Sequence, residues 1–279
     1  MSLLPGATPA PPTAPRRRPL HGKGQAIGLG FVVLYLSVIV LIPLAAVVAT
    51  SQENGLAGFW KAVTTPEASS TLKLTIGASF LVAVINCLMG TMIAWLLVRD
   101  RLPGRGFFDA LIDLPFALPT IVAGLALLTV YGTDSPLGLD IAYSRLAVVV
   151  ALLFVTLPFV VRTVQPVLLE LDREMEQAAA SLGAGPATIF FRIILPNILP
   201  AMAAGTALSF ARAVSEFGST VLISGNLPFK TQVASVHIFN QLENDNVAGA
   251  AAVATVLLVV ALVMLVALDV LQRWGARRG

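Results

Sequence analysis

Charge is what this sequence has least of. Only 12% of its 279 residues are Asp, Glu, Lys or Arg, against roughly 25% in a soluble domain. So few charges cannot cover a water-facing surface of this size, so most of the surface must face lipid. There is one cysteine, Cys87, which excludes a disulfide framework within the chain and any cysteine-based metal cluster. It lies in an apolar stretch and reads as a small buried residue. There are two histidines. His21 falls in a polar tail and His237 in an outer loop, where both read as surface residues. No group of His, Cys, Asp and Glu has metal-ligand spacing. No G-x4-G-K-[ST] phosphate loop, G-x-S-x-G elbow or H-E-x-x-H helix is present. The chain is therefore expected to be no enzyme, with no catalytic residue, no metal and no cofactor of its own. The net charge of +3 does not point to nucleic acid, because the basic residues flank apolar runs and form no continuous patch.

What is present is apolar, 57% of the sequence. Residues 1–24 stand apart. They are polar and carry Pro5, Pro9, Pro11, Pro12, Pro15 and Pro19, and bury too little to offset the entropy of ordering, so a disordered tail is expected. The membrane domain then occupies 25–279. Six apolar stretches run over 26–49, 71–98, 107–131, 144–166, 198–223 and 247–271, each near or above the roughly 20 residues that cross a bilayer as a helix. The first exceeds the apolar core of a signal peptide, about 7–15 residues, so it reads as an uncleaved span. A short amphipathic outer helix is expected near Phe59, Trp60 and Lys61. The fold class is an all-α integral membrane protein of about six transmembrane helices.

Basic residues orient it. With both termini in the cytoplasm, that side receives Arg16, Arg17, Arg18, Lys23, Arg99, Arg101, Arg105, Arg162, Arg173, Arg192, Arg273, Arg277 and Arg278. The outside keeps only Lys61, Lys73, Arg145 and Lys230. The reverse topology would violate the positive-inside rule. Trp95 and Trp274 fall near the inner ends of their spans, as interface anchors do.

The longest cytoplasmic connection, about 170–196, is the informative one. Leu171 to Leu182 reads as a short helix with Glu170, Asp172, Glu174 and Glu176 near its positive end. Ala178, Ala179 and Ala180 favour helix while presenting almost no side chain. Gly183 can stop that helix and Pro186 can start the next. Phe190, Phe191, Ile193 and Ile194 form an apolar block before Pro196. A helix–glycine–helix knob results, whose small-residue face lets another protein approach the backbone.

This stretch resembles the "EAA" loop, EAA-x3-G-x9-I-x-L-P, of bacterial ABC importer permeases. The matching positions are Gln177, Ala178, Ala179, Gly183, Ile193, Leu195 and Pro196. The one departure is Gln177 at the acidic position, with Glu176 one residue earlier. A narrower resemblance covers Asp109–Thr120, Phe210–Ser219, Gly225–Pro228, Lys230 and Thr231. It is to sulfate/thiosulfate permeases of the CysT (CysU) type, with weaker likeness to molybdate permeases. The resemblance implies a type I, MetI-like permease working by alternating access, with a coupling helix that docks in an ATPase subunit. It implies as partners a CysA-like ATPase dimer, a CysW-like second permease, a periplasmic or lipid-anchored sulfate-binding protein and membrane lipid, with no nucleic acid. The location implied is the inner membrane. A permease for molybdate or another oxyanion is the rival within the class. A secondary transporter or channel without an ATPase is the rival outside it; inverted repeats and paired broken helices would mark it, and the sequence shows neither.

Arg212 and Glu216 lie four residues apart in the fifth span, on one helix face. Either they neutralise each other, or with Ser215 they border the translocation path and help a dianion pass. Asp109 and Asp113 sit one turn apart at the inner end of span three. They read as a charge pair near the headgroups, or as partners of the ATPase or of Arg99, Arg101 or Arg105.

Overall fold

The structure, a computed structural model, describes residues 23–100 and 102–276, with side chains over 27–100 and 102–270. Most of the expected tail (residues 1–22, including Arg16, Arg17, Arg18 and His21) lies outside the described residues. So do Arg101, Arg277, Arg278 and the side chains of Lys23, Arg273 and Trp274. Every regular element among the described residues is helical.

Among the described residues, those up to Ala46 form one compact unit and those from Val47 onward a second. The first unit carries α1 (Lys23–Leu36), a π-helical turn over Ser37–Leu41 and the start of α2 (Ile42–Thr50). The π turn has a local cause. Pro43 lacks an N–H and its ring would clash with the carbonyl of Ile39, and widening the turn there relieves both. Ile27–Thr50 is long and apolar enough to span a membrane.

The second unit opens with α3 (Gly55–Val63), the expected short helix carrying Phe59, Trp60 and Lys61. Three long helices follow as its core: α4 (Pro66–Arg99), α7 (Arg145–Glu170) and α10 (Leu195–Val214). Small residues let them close. A Cβ added at Gly90 of α4 would stand 2.8 Å from Val160 Cβ, and one at Gly205 of α10 would stand 2.8 Å from Val160 Cα, so α7 is gripped from both sides. Asn86 Nδ2 donates to Thr156 Oγ1 (2.8 Å) and to Ser209 Oγ (3.3 Å), joining the same three helices by a buried polar contact. Both ends of the core are closed by apolar clusters, around Val214 and Ala252 at one and around Val164 and Ile198 at the other. The last span lies in α13 (Val247–Ala276).

Two expected spans are broken. The third is α5 (Arg105–Ala117) and α6 (Thr120–Tyr131), bent by 114°. Pro119 disfavours the helical region for the residue before it, and Leu118 is extended at φ −88°, ψ 136°. The fifth stops at Val214 and resumes as α11 (Gly218–Ile223), which packs on α6. The described residues therefore hold five helices long enough to cross a membrane, and six spans if α5 and α6 count as one.

Candidate functional site

At the end of the bundle where α4 and α7 finish, α8 (Arg173–Ser181) projects as a separate short helix. Its start is set by Asp172, whose carboxylate accepts the Glu174 N–H at 2.8 Å. Its stop is set by Gly183, at φ +86°. That left-handed turn lets the Gly183 N–H reach Ala180 O (2.9 Å) and the Ala184 N–H reach Ala179 O (3.0 Å), the paired bonds of a Schellman cap. Pro186 then opens α9 (Pro186–Ile189), which passes through a second π turn, Phe190–Ile194, into α10. Like the first, this turn ends two residues before a proline, here Pro196.

Gln177, Ala178, Leu182 and Gly183 are exposed, and Ala179 is half-exposed. Leu182 is 89% exposed, so it has essentially no packing within this chain. Further on, Leu195 packs on the core beside buried Ile194, Ile193 is half-buried and Pro196 is exposed.

Glu176, one residue before the aligned acidic position, faces the bundle. Its Oε1 accepts from the Arg99 guanidinium at 2.6 Å, with side chains 20% and 10% exposed. Arg99 lies over the Trp95 ring at 5.4 Å, and Trp95 stands edge-on to Phe190 at 5.6 Å. The knob is thus latched to the last turn of α4 through a charge pair and a short aromatic stack. Sequence reasoning did not pair these residues, which stand 77 apart; the shift of the acid from 177 to 176 was the available signal.

Asp109 and Asp113 on α5 find a partner that sequence reasoning missed, Arg162 of α7. Its guanidinium reaches Asp113 at 2.7 Å, Asp109 Oδ1 at 3.1 Å and Gln165 Oε1 at 2.6 Å, and donates to the Asp109 carbonyl at 3.0 Å. Of the partners expected, Arg105 stands near Asp109 at 3.7 Å. The planar fork of arginine suits this many acceptors and ties the oblique α5 to α7.

Arg212 and Glu216 meet at 2.6 Å, across a break and not along a continuous helix. The Glu216 side chain is fully buried. Its Oε1 accepts both the Ser219 N–H (2.8 Å) and the Ser219 hydroxyl (2.9 Å), and Ser235 donates to its backbone carbonyl at 2.6 Å. The carboxylate therefore caps the first turn of α11 while Arg212 balances its charge. Arg212 remains 31% exposed. Ser215 is exposed and lines a cavity of about 500 Å³ with Phe217, Ser235 and Phe239.

His237 departs from its expected place on a surface loop. It is buried in α12 (Ala234–Glu243), with Nδ1 3.5 Å from Glu67 Oε1. Burial pushes its pKa below 6.5, and the nearby Glu67 carboxylate opposes that shift.

Residues 86–278 match a family described as binding-protein-dependent transport system inner membrane component. The sulfate transport system permease protein CysT of Synechocystis is 46% identical over 262 residues, covering 91% of this chain and 92% of that relative. CysT of Escherichia coli is 40% identical over 262 residues, covering 91% and 95%. Among solved structures, a chain of a bacterial alginate ABC transporter in complex with its alginate-bound periplasmic protein superposes with a TM-score of 0.71 at 17% identity, covering 89% and 93%. One from inward-facing conformations of the MetNI methionine ABC transporter gives 0.57 at 18%, covering 74% and 94%. At these identities the structural likeness concerns the fold.

Proposed function

Because the chain belongs to the family of binding-protein-dependent transport system inner membrane components, we infer that it is the permease of an ABC importer carrying sulfate or thiosulfate into the cytoplasm. The relatives named sulfate permeases, 40–48% identical, favour that anion over molybdate. A loaded periplasmic or lipid-anchored binding protein delivers the anion to the outer face. A CysA-like ATPase dimer receives the knob built from Glu176, Gln177, Ala178, Ala179 and Gly183, held on the bundle by Ile193, Leu195 and Pro196. A CysW-like permease completes the membrane core. Arg212 and Ser215 border the path, and Glu216 holds Arg212 in place.

The observation that carries this reading is the exposed, glycine-capped α8 latched to α4 by Glu176 and Arg99. Closure of the ATPase dimer would displace α8, and the latch would hand that displacement to a helix running the depth of the membrane. Broken helices α5–α6 and α10–α11 also fit a secondary transporter, but such a protein would have no use for the knob.

The test is reconstitution of the four kinds of subunit in proteoliposomes. ATP-dependent uptake of labelled sulfate is expected, and uptake that continues without the ATPase would overturn the importer reading. Both termini and α8 face the cytoplasm on this reading. In a chain lacking Cys87, an impermeant thiol reagent added to spheroplasts should label Lys61→Cys and spare Ser181→Cys; the reverse pattern would invert the topology.

A further inference from the structure

At the opposite end of the bundle from α8, the first turns of α4 and the start of α7 enclose a cavity of about 440 Å³. It is lined by Ser70, Lys73, Leu74, Gly77, Arg145 and Val149. Two cations from distant parts of the sequence thus share one concave site. Arg145 Nε also donates to the Lys230 backbone carbonyl at 3.1 Å, which helps to position the guanidinium. Arg99, Arg162 and Arg212 each commit their charge to a carboxylate. Lys73 and Arg145 make no ion pair among the described residues, and both are exposed.

Resting on the importer reading, we propose that this cavity is an entry site for a tetrahedral oxyanion dianion, held between Lys73 and Arg145 before it reaches the path bordered by Arg212 and Ser215. Two uncommitted positive charges match a double negative charge. The volume has room for roughly a dozen waters, so the anion enters with most of its hydration shell. Space beside the exposed Gly77 is open as well, since a Cβ there would meet nothing within 4 Å among the described residues. Such a site concentrates the anion by its field and holds it loosely enough to release it. A concave pocket suits a small anion better than an acidic protein surface, which would seek exposed cations on a flat or convex face.

Lys73→Gln, Arg145→Gln and their double variant, with Lys73→Arg and Arg145→Lys as controls, test this in the complete reconstituted transporter. The readout is sulfate uptake at saturating loaded binding protein. Each glutamine variant should lose up to about fivefold in rate, as expected for one solvent-screened charge, and the controls should retain most of it. Affinity for the binding protein should stay within about twofold. Falling affinity would assign the cations to protein docking and overturn the proposal. A deficit seen only with phosphatidylglycerol present, and absent in phosphatidylcholine alone, would assign them to lipid headgroups and also overturn it. Unchanged rates in the variants while the parent imports sulfate would sink this site alone. A parent complex without ATP-dependent sulfate uptake would sink the underlying functional reading.

Discussion

Replacing Gly183 should uncouple transport from ATP hydrolysis without affecting membrane insertion. The residue sits at φ +86°, where a side chain costs about 1–2 kcal/mol of backbone strain. Beyond its chain neighbours, nothing among the described residues lies within 4 Å of an added Cβ, so for alanine the backbone strain is the main intramolecular penalty. Valine, branched at Cβ, belongs at the upper end of the range or beyond it. Since 1.4 kcal/mol is a factor of ten, the capped conformation should fall about 5- to 30-fold relative to other turns. With it go the two bonds from Gly183 and Ala184 that close α8. No apolar span contains the residue, so abundance in the membrane should be normal. The assay is pull-down of the ATPase subunit, sulfate uptake and transport-coupled ATP hydrolysis for Gly183→Ala, Gly183→Val and Gly183→Asn. Asparagine tolerates the left-handed region and should be milder than alanine despite its size. If asparagine is worse than alanine, crowding in the partner's groove outweighs the backbone argument. If Gly183→Val binds the ATPase and imports like the parent, α8 is not the coupling element.

Arg99→Ala and Glu176→Ala should each weaken coupled ATP hydrolysis by about 1–3 kcal/mol of loop ordering, and the double variant should lose no more than the worse single. Losses that simply add would show that the 2.6 Å contact is not a functional latch. In the α10–α11 break, Arg212→Gln leaves a buried carboxylate without its counter-charge and should reduce assembled complex most. Arg212→Gln combined with Glu216→Gln should recover assembly, because a lone buried charge is worse than none. Uptake per assembled complex then separates the roles: recovery with assembly means neutralisation alone, whereas full assembly with poor uptake places Arg212 on the anion's route. Normal assembly and uptake in both variants would reject both roles.

Composition and the lengths of the apolar runs were enough to establish a helical membrane protein, because the hydrophobic effect and the lack of backbone partners in lipid act on runs of sequence, whatever the rest of the chain does. The helix–glycine–helix geometry of the knob was legible for a similar reason. Its glycine turn and restarting proline are local devices, and Gly183 and Pro186 stand in the roles their chemistry suggests, whereas Asp172, read only as one of several acids near the helix start, is its cap. The bend at Leu118–Pro119 was half-legible. Proline announces a possible break, but a 114° change of direction requires another surface to turn towards, and α11 supplies it. Arg212 with Glu216 could be paired by spacing, but the charge partners far apart in sequence were decided by tertiary structure alone. Glu176 with Arg99, and Asp109 and Asp113 with Arg162, are 49 to 77 residues apart, and so is the meeting of Lys73 with Arg145 in one cavity. An ion pair depends on a few ångströms of separation, which sequence spacing reports only within one helix. His237 illustrates the same limit, for its neighbours on α12 give no sign that α4 will bury it beside Glu67.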